Sequence, residues 1–565
     1  LQSIVDNLVS NTFGVSLPLY CPELVLCTTI VLLLLVRMFD RLTLVLPPFV
    51  IALIGTGLAL AAAAPVDGFA SLGTLPSTEL FTGMLVYDGV TVYLRLALLL
   101  FAVLMVLLCR LTDLTAKFDG QDIYVLMLGA TLGMCIMASA NHLMTLFLGV
   151  EMASVPSYVL VGLVRNNRRA SEAALKYAVY GAGAAGMMLY GISLLAGLLG
   201  TAHLPTIGWQ LAELDLPGLI AGGQDLGVLA ALVLAGLLIG VGLAFKLSAF
   251  PFHFWCPDAF EGGTAEVAGF LSVASKAAAL ALLVRVVMAT CLPIDTTAPV
   301  VAEQPTQLQV VTVSNPTAAN NTAATTVADS EATDPLGPVR TYLTTLIAVV
   351  ALVTCTFGNL AAYGQTNIKR MLAYSTIAHA GYMMMPVAAL VTLTGEPSGA
   401  AQALTSLLVY LGVYLFMNLA AFSIVAFLRN ATGSENIDDY AGMVRSAPAI
   451  TVCMVVAMAS LLGIPPMAGF LGKFAAFAVL AKVGTPLMLT LLVVAGLNTV
   501  VSLVYYWRVV RTMVLRPEPI SRGPVEISLA PVSFVVLVTL PLFLLFIFPS
   551  ALTDLAQAAA SGVLP

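Results

Sequence analysis

Charge is scarce in this sequence: only 9% of its 565 residues are Asp, Glu, Lys or Arg, where soluble domains carry about a quarter. That shortage, with 60% hydrophobic residues and a mean hydropathy of +1.01, excludes a water-facing globular surface and marks an integral membrane chain. The eight cysteines contain no Cys-x-x-Cys pair, which excludes the usual spacings of an iron-sulfur cluster or a zinc site. His142, His203, His253 and His379 are too dispersed to propose a haem pair, so neither a cofactor nor a metal is expected in this chain. Basic runs are absent and the net charge is -6, which argues against nucleic acid and against a polybasic lipid-binding face. No basic leader followed by a cleavage site is evident, so no removable signal is expected.

What the chain has in abundance is apolar runs of about 20 residues, the length that crosses a hydrocarbon core about 30 Å thick. They fall near 19–37, 43–64, 86–109, 122–139, 142–164, 172–198, 226–250, 265–290, 341–363, 371–394, 402–428, 447–483, 486–507 and 528–549. Fourteen transmembrane helices in an all-α integral membrane protein are expected. With both termini outside, sixteen of the 23 basic residues fall in inside loops and only Arg340 and Lys482 in outside loops. A shift of one helix would scramble that split, and basic residues concentrate on the cytoplasmic side. The other five, Arg95, Lys246, Lys276, Arg285 and Lys473, lie within helices. Arg95 and Arg285 sit nearer helix ends and are expected to snorkel to the interface.

Proline breaks two of the apolar runs. Pro251 follows Lys246 by five residues on helix 7, and Pro465 and Pro466 precede Lys473 on helix 12. Proline removes a backbone hydrogen bond and clashes with the preceding turn, so both helices are expected to be discontinuous. Direction and order are reversed between the two, as in repeats of inverted topology whose broken helices bind a coupling ion. The expected organisation is helices 1–3 in residues 1–121 and a five-helix repeat (helices 4–8) in 122–290. A flexible external insertion, rich in Thr, Ala, Asn and Pro, occupies 291–340. The inverted second repeat (helices 9–13) spans 341–511, and a last loop and helix 14 span 512–565. Asn320-Asn321-Thr322 in the insertion spells a glycosylation acceptor, a three-residue signal given little weight here. Gly181-Ala182-Gly183-Ala184-Ala185-Gly186 spells the dinucleotide fingerprint, yet it lies inside an apolar helix with no preceding strand and reads as a small-residue packing face.

Glu151, Lys246, Lys276 and Lys473 stand in mid-membrane surroundings. A charge at a helix centre costs roughly 2.5–3.5 kcal/mol on insertion scales, and such residues usually mark ion or proton pathways. Four of complementary sign point to proton or cation movement. Two charges about 7 Å apart at an effective dielectric near 20 couple by roughly 2.4 kcal/mol, enough to bias a proton transfer.

The ordered motifs Asn141-His142-Leu143 through Glu151 to Pro156, Ala174-Leu175-Lys176-Tyr177, Phe245-Lys246-Leu247-Ser248 with Pro251-Phe252-His253, Trp255-Cys256-Pro257-Asp258, Ala274-Ser275-Lys276, Gln365 to Ser375 with His379-Ala380-Gly381-Tyr382, and Gly469-Phe470-Leu471-Gly472-Lys473-Phe474 together resemble the antiporter-like subunits of the bacterial proton-pumping NADH-quinone oxidoreductase, respiratory complex I. The likeness covers about helices 4–13. It is nearest to the N branch of that family: Lys473 stands where the M branch looks like it carries glutamate, and the long lateral helix that the L branch carries after helix 14 is not expected here. The resemblance implies a proton-translocating subunit whose redox partners, FMN, iron-sulfur clusters and quinone, lie in other subunits. Implied partners are the peripheral and membrane-arm subunits, above all neighbouring antiporter-like ones, together with membrane lipids in the bacterial inner membrane. It further implies that Glu151 pairs with Lys246, that Lys276 is the central relay, that His253 and His379 bridge waters, and that Lys473 is the terminal site. Where the family shows Gly-Ala-Pro-x-Pro-Val before helix 8, this chain reads Gly262-Gly263-Thr264-Ala265-Glu266-Val267, losing both prolines and gaining a carboxylate at the inner mouth. A looser inlet loop is the expectation. The alternatives are a multi-subunit sodium/proton antiporter, a structural assembly subunit, or a membrane-bound hydrogenase or formate-oxidising relative.

Overall fold

In a lipid core no water is present to satisfy backbone groups, so an apolar chain of this length closes its hydrogen bonds within helices. The computed structural model describes residues 2–39, 46–65, 68–114, 121–164, 167–222, 226–291, 334–519, 522 and 525–563. Most of the insertion expected over 291–340, including its acceptor sequence, lies outside the described residues.

A helix occupies each apolar run: Cys21–Arg37, Pro48–Ala63, Gly89–Leu111, Gln121–Ser139, Leu143–Val161, Arg168–Leu199, Leu226–Leu247, Ala265–Cys291, Gly337–Ala362, Ile368–Thr392, Pro397–Thr432, Pro448–Leu462 with Ala468–Val483, Pro486–Leu515, and Leu529–Thr539 with Pro541–Ile547. Among the described residues, ten helices are long and apolar enough to cross a membrane, or eleven if the bent pair at the N-terminus counts as one. Ala265–Cys291 is buried over its full apolar window and Pro397–Thr432 over 94% of it. These two and the buried Ile368–Thr392 helix form the core. Arg168–Leu199, Leu226–Leu247 and Pro486–Leu515 are only 28% buried over their windows. They turn leucines, valines and aromatics outward, as a lipid-facing surface requires.

Both discontinuities lie where the prolines place them. Leu226–Leu247 stops before Pro251, and a short helix, Trp255–Gly262, follows. Pro448–Leu462 ends at Gly463, whose φ of +86° is open to glycine at little cost, and Ala468–Val483 resumes beyond Pro465 and Pro466. A side chain at Gly463 would also press on the Lys473 stem, 2.9 Å from its Cδ.

Four features depart from the sequence expectation. A two-stranded antiparallel hairpin, Thr78–Leu80 with Leu85–Tyr87, interrupts the all-α reading. Its Glu79 carboxylate meets His203 Nε2 (3.0 Å) and Asn141 Nδ2 (3.3 Å), and this contact with His203 holds the Glu79 carboxyl below the usual carboxylate range. Extra helices stand at Gln2–Asn11, Leu204–Glu213, Leu216–Gly222 and Ser550–Ser561. Arg95 and Arg285 do not snorkel. Arg95 is 1% exposed and pairs with the fully buried Glu23 (2.6 Å), and Arg285 makes a two-point contact with buried Asp88, one arm 2.7 Å, while donating to Thr91 Oγ1 (2.7 Å) and the Ala138 carbonyl (3.1 Å). Their partners, Glu23 and Asp88, are themselves in or beside apolar runs, and a buried arginine needs such a partner to offset desolvation. Finally, Lys369, expected in an inside loop, is 3% exposed and buried against Glu435 (2.8 Å).

Candidate functional site

Lys246, Lys276 and Lys473 are 2%, 0% and 4% exposed, and no carboxylate lies within 4.0 Å of any of the three ammonium groups among the described residues. What holds Lys276 and Lys473 instead is the end of a broken helix. Lys276 Nζ donates to the Lys246 carbonyl (3.4 Å) and to Ser248 Oγ, at the C-terminus of Leu226–Leu247. Lys473 Nζ donates to the Leu462 carbonyl (3.0 Å), at the C-terminus of Pro448–Leu462. Orphan carbonyls and the negative end of the helix dipole favour a cation at such a place. Each ammonium also faces an aromatic ring, Lys276 over Trp255 (5.1 Å) and Lys473 over Tyr382 (4.9 Å). Trp255 is fixed by its indole donating to the Phe245 carbonyl (2.9 Å) and by stacking on Tyr177 (4.1 Å). The breaks at Pro251 and at Pro465 with Pro466 therefore create two alike cation seats that need no counter-carboxylate.

Glu151 lies half-buried on Leu143–Val161, and no contact within 4.0 Å joins it to Lys246. The expected direct pair is thus absent here: the two charges interact at longer range, each lying in the other's field. Tyr177 and Trp255 pack against Phe245, the residue before Lys246. His253 is 2% exposed among Phe250 (5.6 Å), Phe254 (4.4 Å) and Phe357 (4.3 Å), and its Nδ1 has no hydrogen-bond partner among the described residues.

His379 is held between two tyrosine hydroxyls. It is 1% exposed, with Nδ1 2.9 Å from the Tyr410 hydroxyl and Nε2 3.2 Å from the Tyr506 hydroxyl. Toward Lys276 stand the Ser272 and Thr376 hydroxyls, 3.0 Å apart, with Ser272 donating to Asn418 (3.1 Å) and reaching the Tyr414 hydroxyl at 3.5 Å. Ser272 is one helical turn from Lys276, and the Tyr414 ring is 5.3 Å from that of His379. Toward Lys473 stand Tyr382, Asn359 and Tyr505: Asn359 Nδ2 donates to Tyr382 (3.1 Å) and Tyr505 donates to Asn359 Oδ1 (2.9 Å). The sequence reading missed these hydroxyls, though a signal existed. Thr376, His379 and Tyr382 recur every third residue on one core helix, and Tyr410, Tyr414 and Asn418 every fourth on the next. Those spacings put each set on one side of its helix.

At the basic end of the bundle, Lys369 Nζ also donates to the Glu261 (3.0 Å) and Gly263 (2.6 Å) carbonyls. Arg370 pairs with Asp258 (3.0 Å) and Glu261 (2.6 Å), and Asp258 takes Lys176 as well (3.0 Å). The 262–267 segment that lost both prolines is therefore tied by Lys369 at the Gly263 carbonyl and the short helix before it by Arg370, contrary to the looser loop expected. Glu266 is not an open carboxylate at the mouth but is fully buried against Arg429 (3.2 Å).

Residues 140–301 and 331–499 match the family model described as NADH:quinone oxidoreductase/Mrp antiporter, TM. The chain is 35% identical over 482 residues to the NADH-quinone oxidoreductase subunit N of Anaeromyxobacter, covering 84% of this chain and 83% of that one. To the subunit N of Rhodospirillum rubrum it is 34% identical over 504 residues, 87% and 88% of the two chains. Among solved structures, a chain of respiratory complex I from Thermus thermophilus with bound aureothin superposes with a TM-score of 0.69 at 29% identity, over 96% of this chain and all of that one. A chain of the Mrp complex from Dietzia shares the fold at TM-score 0.72 and 17% identity, over 96% and 97% of the two.

Proposed function

Because the chain belongs to the NADH:quinone oxidoreductase/Mrp antiporter family of membrane subunits, we propose that its buried axis carries protons as the membrane subunit N of NADH-quinone oxidoreductase. What supports this reading is a pair of lysines seated alike at helix breaks, with clusters of buried hydroxyl and imidazole groups on the core helices beside them. Glu151 sets the field at Lys246, Lys276 takes the proton, the Ser272–Thr376–Tyr414 group and His379 pass it on, and Lys473 is the last site. A lysine suits this work because, in low dielectric and with carbonyls rather than a carboxylate around it, the charge can be given up and regained. His253, with a free Nδ1 inside an aromatic cage, is a branch point for water beside the first break.

The finer architecture belongs to the same reading. Fourteen spans, two inverted five-helix repeats (helices 4–8 and 9–13) and both termini on the periplasmic face of the bacterial inner membrane agree with the basic-residue distribution. The domain limits 1–121, 122–290, 291–340, 341–511 and 512–565 follow from it. FMN, iron-sulfur clusters and quinone then lie in partner subunits, and this chain performs no redox step. A change at the quinone site reaches the axis through neighbouring membrane subunits and biases the Glu151–Lys246 interaction.

Two measurements test this together. Gentle extraction, a native gel stained for NADH oxidation and mass spectrometry of the stained band should find this chain in a large NADH-oxidising assembly. Recovery only with small antiporter subunits would assign it to ion exchange. In the assembled complex, Lys473→Ala should lower protons moved per NADH to less than about half, whereas normal pumping would remove Lys473 from the route. The route through this chain is then all but closed, because losing an acid-base group slows its step roughly 10²–10⁴-fold, and what remains is carried by neighbouring subunits.

A further inference from the structure

The aromatic rings over the two lysine seats are fixed in different ways. Over Lys276, the Trp255 indole is held by a backbone carbonyl, that of Phe245 (2.9 Å). Over Lys473, the Tyr382 ring is held through its hydroxyl, which accepts from Asn359 Nδ2 (3.1 Å). A backbone carbonyl comes with any helix, whereas a buried asparagine is costly unless its polar atoms are matched.

Asn359 meets that condition. It is 0% exposed on Gly337–Ala362; Nδ2 donates to the Cys355 carbonyl (2.9 Å) as well as to Tyr382, and Oδ1 accepts from the Tyr505 hydroxyl (2.9 Å). A carbonyl can only accept, so the Cys355 contact fixes which end of the amide is nitrogen and makes the Tyr382 oxygen the acceptor. Asn498 Oδ1 lies 3.5 Å from the same nitrogen. The amide is thereby tied to its own helix, to Ile368–Thr392 and to Pro486–Leu515. Close backbone packing makes this reach possible. A Cβ on Gly358 would stand 2.6 Å from the Ala378 nitrogen, and one on Gly381 2.6 Å from the Cys355 nitrogen. Gly358 precedes Asn359 and Gly381 precedes Tyr382, so the two helices meet backbone to backbone beside the residues that bond. Phe477, one turn beyond Lys473 on Ala468–Val483, meets the Tyr382 ring edge-on at 6.3 Å. Tyr382 is thus fixed at its tip by Asn359 and along its side by Phe477.

We propose that Asn359 is a positioning residue for proton exchange at Lys473, holding the face of the Tyr382 ring toward the ammonium that forms when the lysine is loaded. It rests on the proton-carrying reading above. A ring held face-on attracts the ammonium and offers no such attraction to the neutral amine. The contact therefore favours the loaded state, and a ring free to swing away lets the proton go more readily. The proton that Lys473 takes and releases stays on Nζ between the two events, and neither Asn359 nor Tyr382 gains or loses one.

The test measures NADH-driven proton uptake against pH in proteoliposomes of the assembled complex, with Lys473→Ala as reference and native-gel assembly as control. Asn359→Leu removes the donor at similar volume; Tyr382→Phe removes the acceptor and keeps the ring. Each should move the alkaline limb of the profile about one pH unit toward acid, as expected for a lost desolvated cation–π contact, with uptake recovering at lower pH. Cys355 and His379, the other titratable groups in the field of Lys473 among the described residues, stay in place. Asn359→Leu/Tyr382→Phe should shift no further than either single variant, because both remove the same hydrogen bond. An equal loss at every pH, or a double variant in which the two losses multiply, would mean that Asn359 only ties helices together, and overturns the proposal. A native profile in Asn359→Leu while Lys473→Ala is impaired also overturns it and leaves the proton-carrying reading intact. Native uptake in Lys473→Ala overturns that reading itself. Should Asn359→Leu fail to assemble, Tyr382→Phe tests the same hydrogen bond from its other end, and a native profile there overturns the proposal.

Discussion

Lys276→Ala is expected to lower NADH-driven proton uptake by at least about tenfold, since an essential acid-base group is lost, while the complex still assembles. The side chain sits in the middle of a helix buried over its full apolar window, and its hydrogen-bond partners among the described residues are the Lys246 carbonyl and Ser248, with the Trp255 face beside it. No carboxylate is stranded when it is removed, so the fold tolerates its loss better than that of a paired charge. Lys276→Arg separates charge from titration. Arginine keeps the positive charge but stays protonated in proteins, so it too should fail to pump. If Lys276→Arg pumped normally, a fixed charge would suffice and a relay through this residue would be wrong. Parallel assays of NADH oxidation by a water-soluble acceptor should show little change in either variant.

Arg285→Ala should instead cost stability. It leaves Asp88, 1% exposed, with its charge uncompensated beside Thr91, and breaking a buried pair by removing one member typically costs about 3–5 kcal/mol. The pair ties the start of Gly89–Leu111 to the far end of the Lys276-bearing helix, with the Ala138 carbonyl as a third anchor. The yield of assembled complex and its thermal midpoint in detergent should both fall. Asp88→Leu/Arg285→Met should be closer to the native protein, because a buried pair replaced by apolar side chains of similar size is often neutral. A native-like midpoint in Arg285→Ala would mean that water reaches Asp88.

Apolar run length and proline positions made the helices and both breaks legible in the sequence, because lipid leaves an apolar chain few other ways to satisfy its backbone. The four charges stood out for the same reason. Less legible was what each charge would meet. Arg95 and Arg285 read as snorkelling residues because Glu23 and Asp88 lie far from them in sequence, and only packing shows them as partners. Glu151 and Lys246, expected to touch, do not, while carbonyl seats for Lys276 and Lys473 depend on where helices end in space. The hydroxyl bridge was hidden among Ser, Thr and Tyr residues that are common in membrane helices, although the repeat of Thr376, His379 and Tyr382 marked one side of it. The hairpin at Thr78–Tyr87 was missed because strands of three residues are too short for an alternating pattern to emerge.

The claim that protons cross between the two lysine seats is tested most directly by cutting the bridge while keeping every charge. Ser272→Ala/Tyr414→Phe removes two hydroxyl groups and leaves Lys276, His379 and Lys473 in place. Protons moved per NADH oxidised should be measured in proteoliposomes of the assembled complex. A fall toward the value found with Lys276→Ala is the predicted result; a native value in that variant would contradict a route through this bridge.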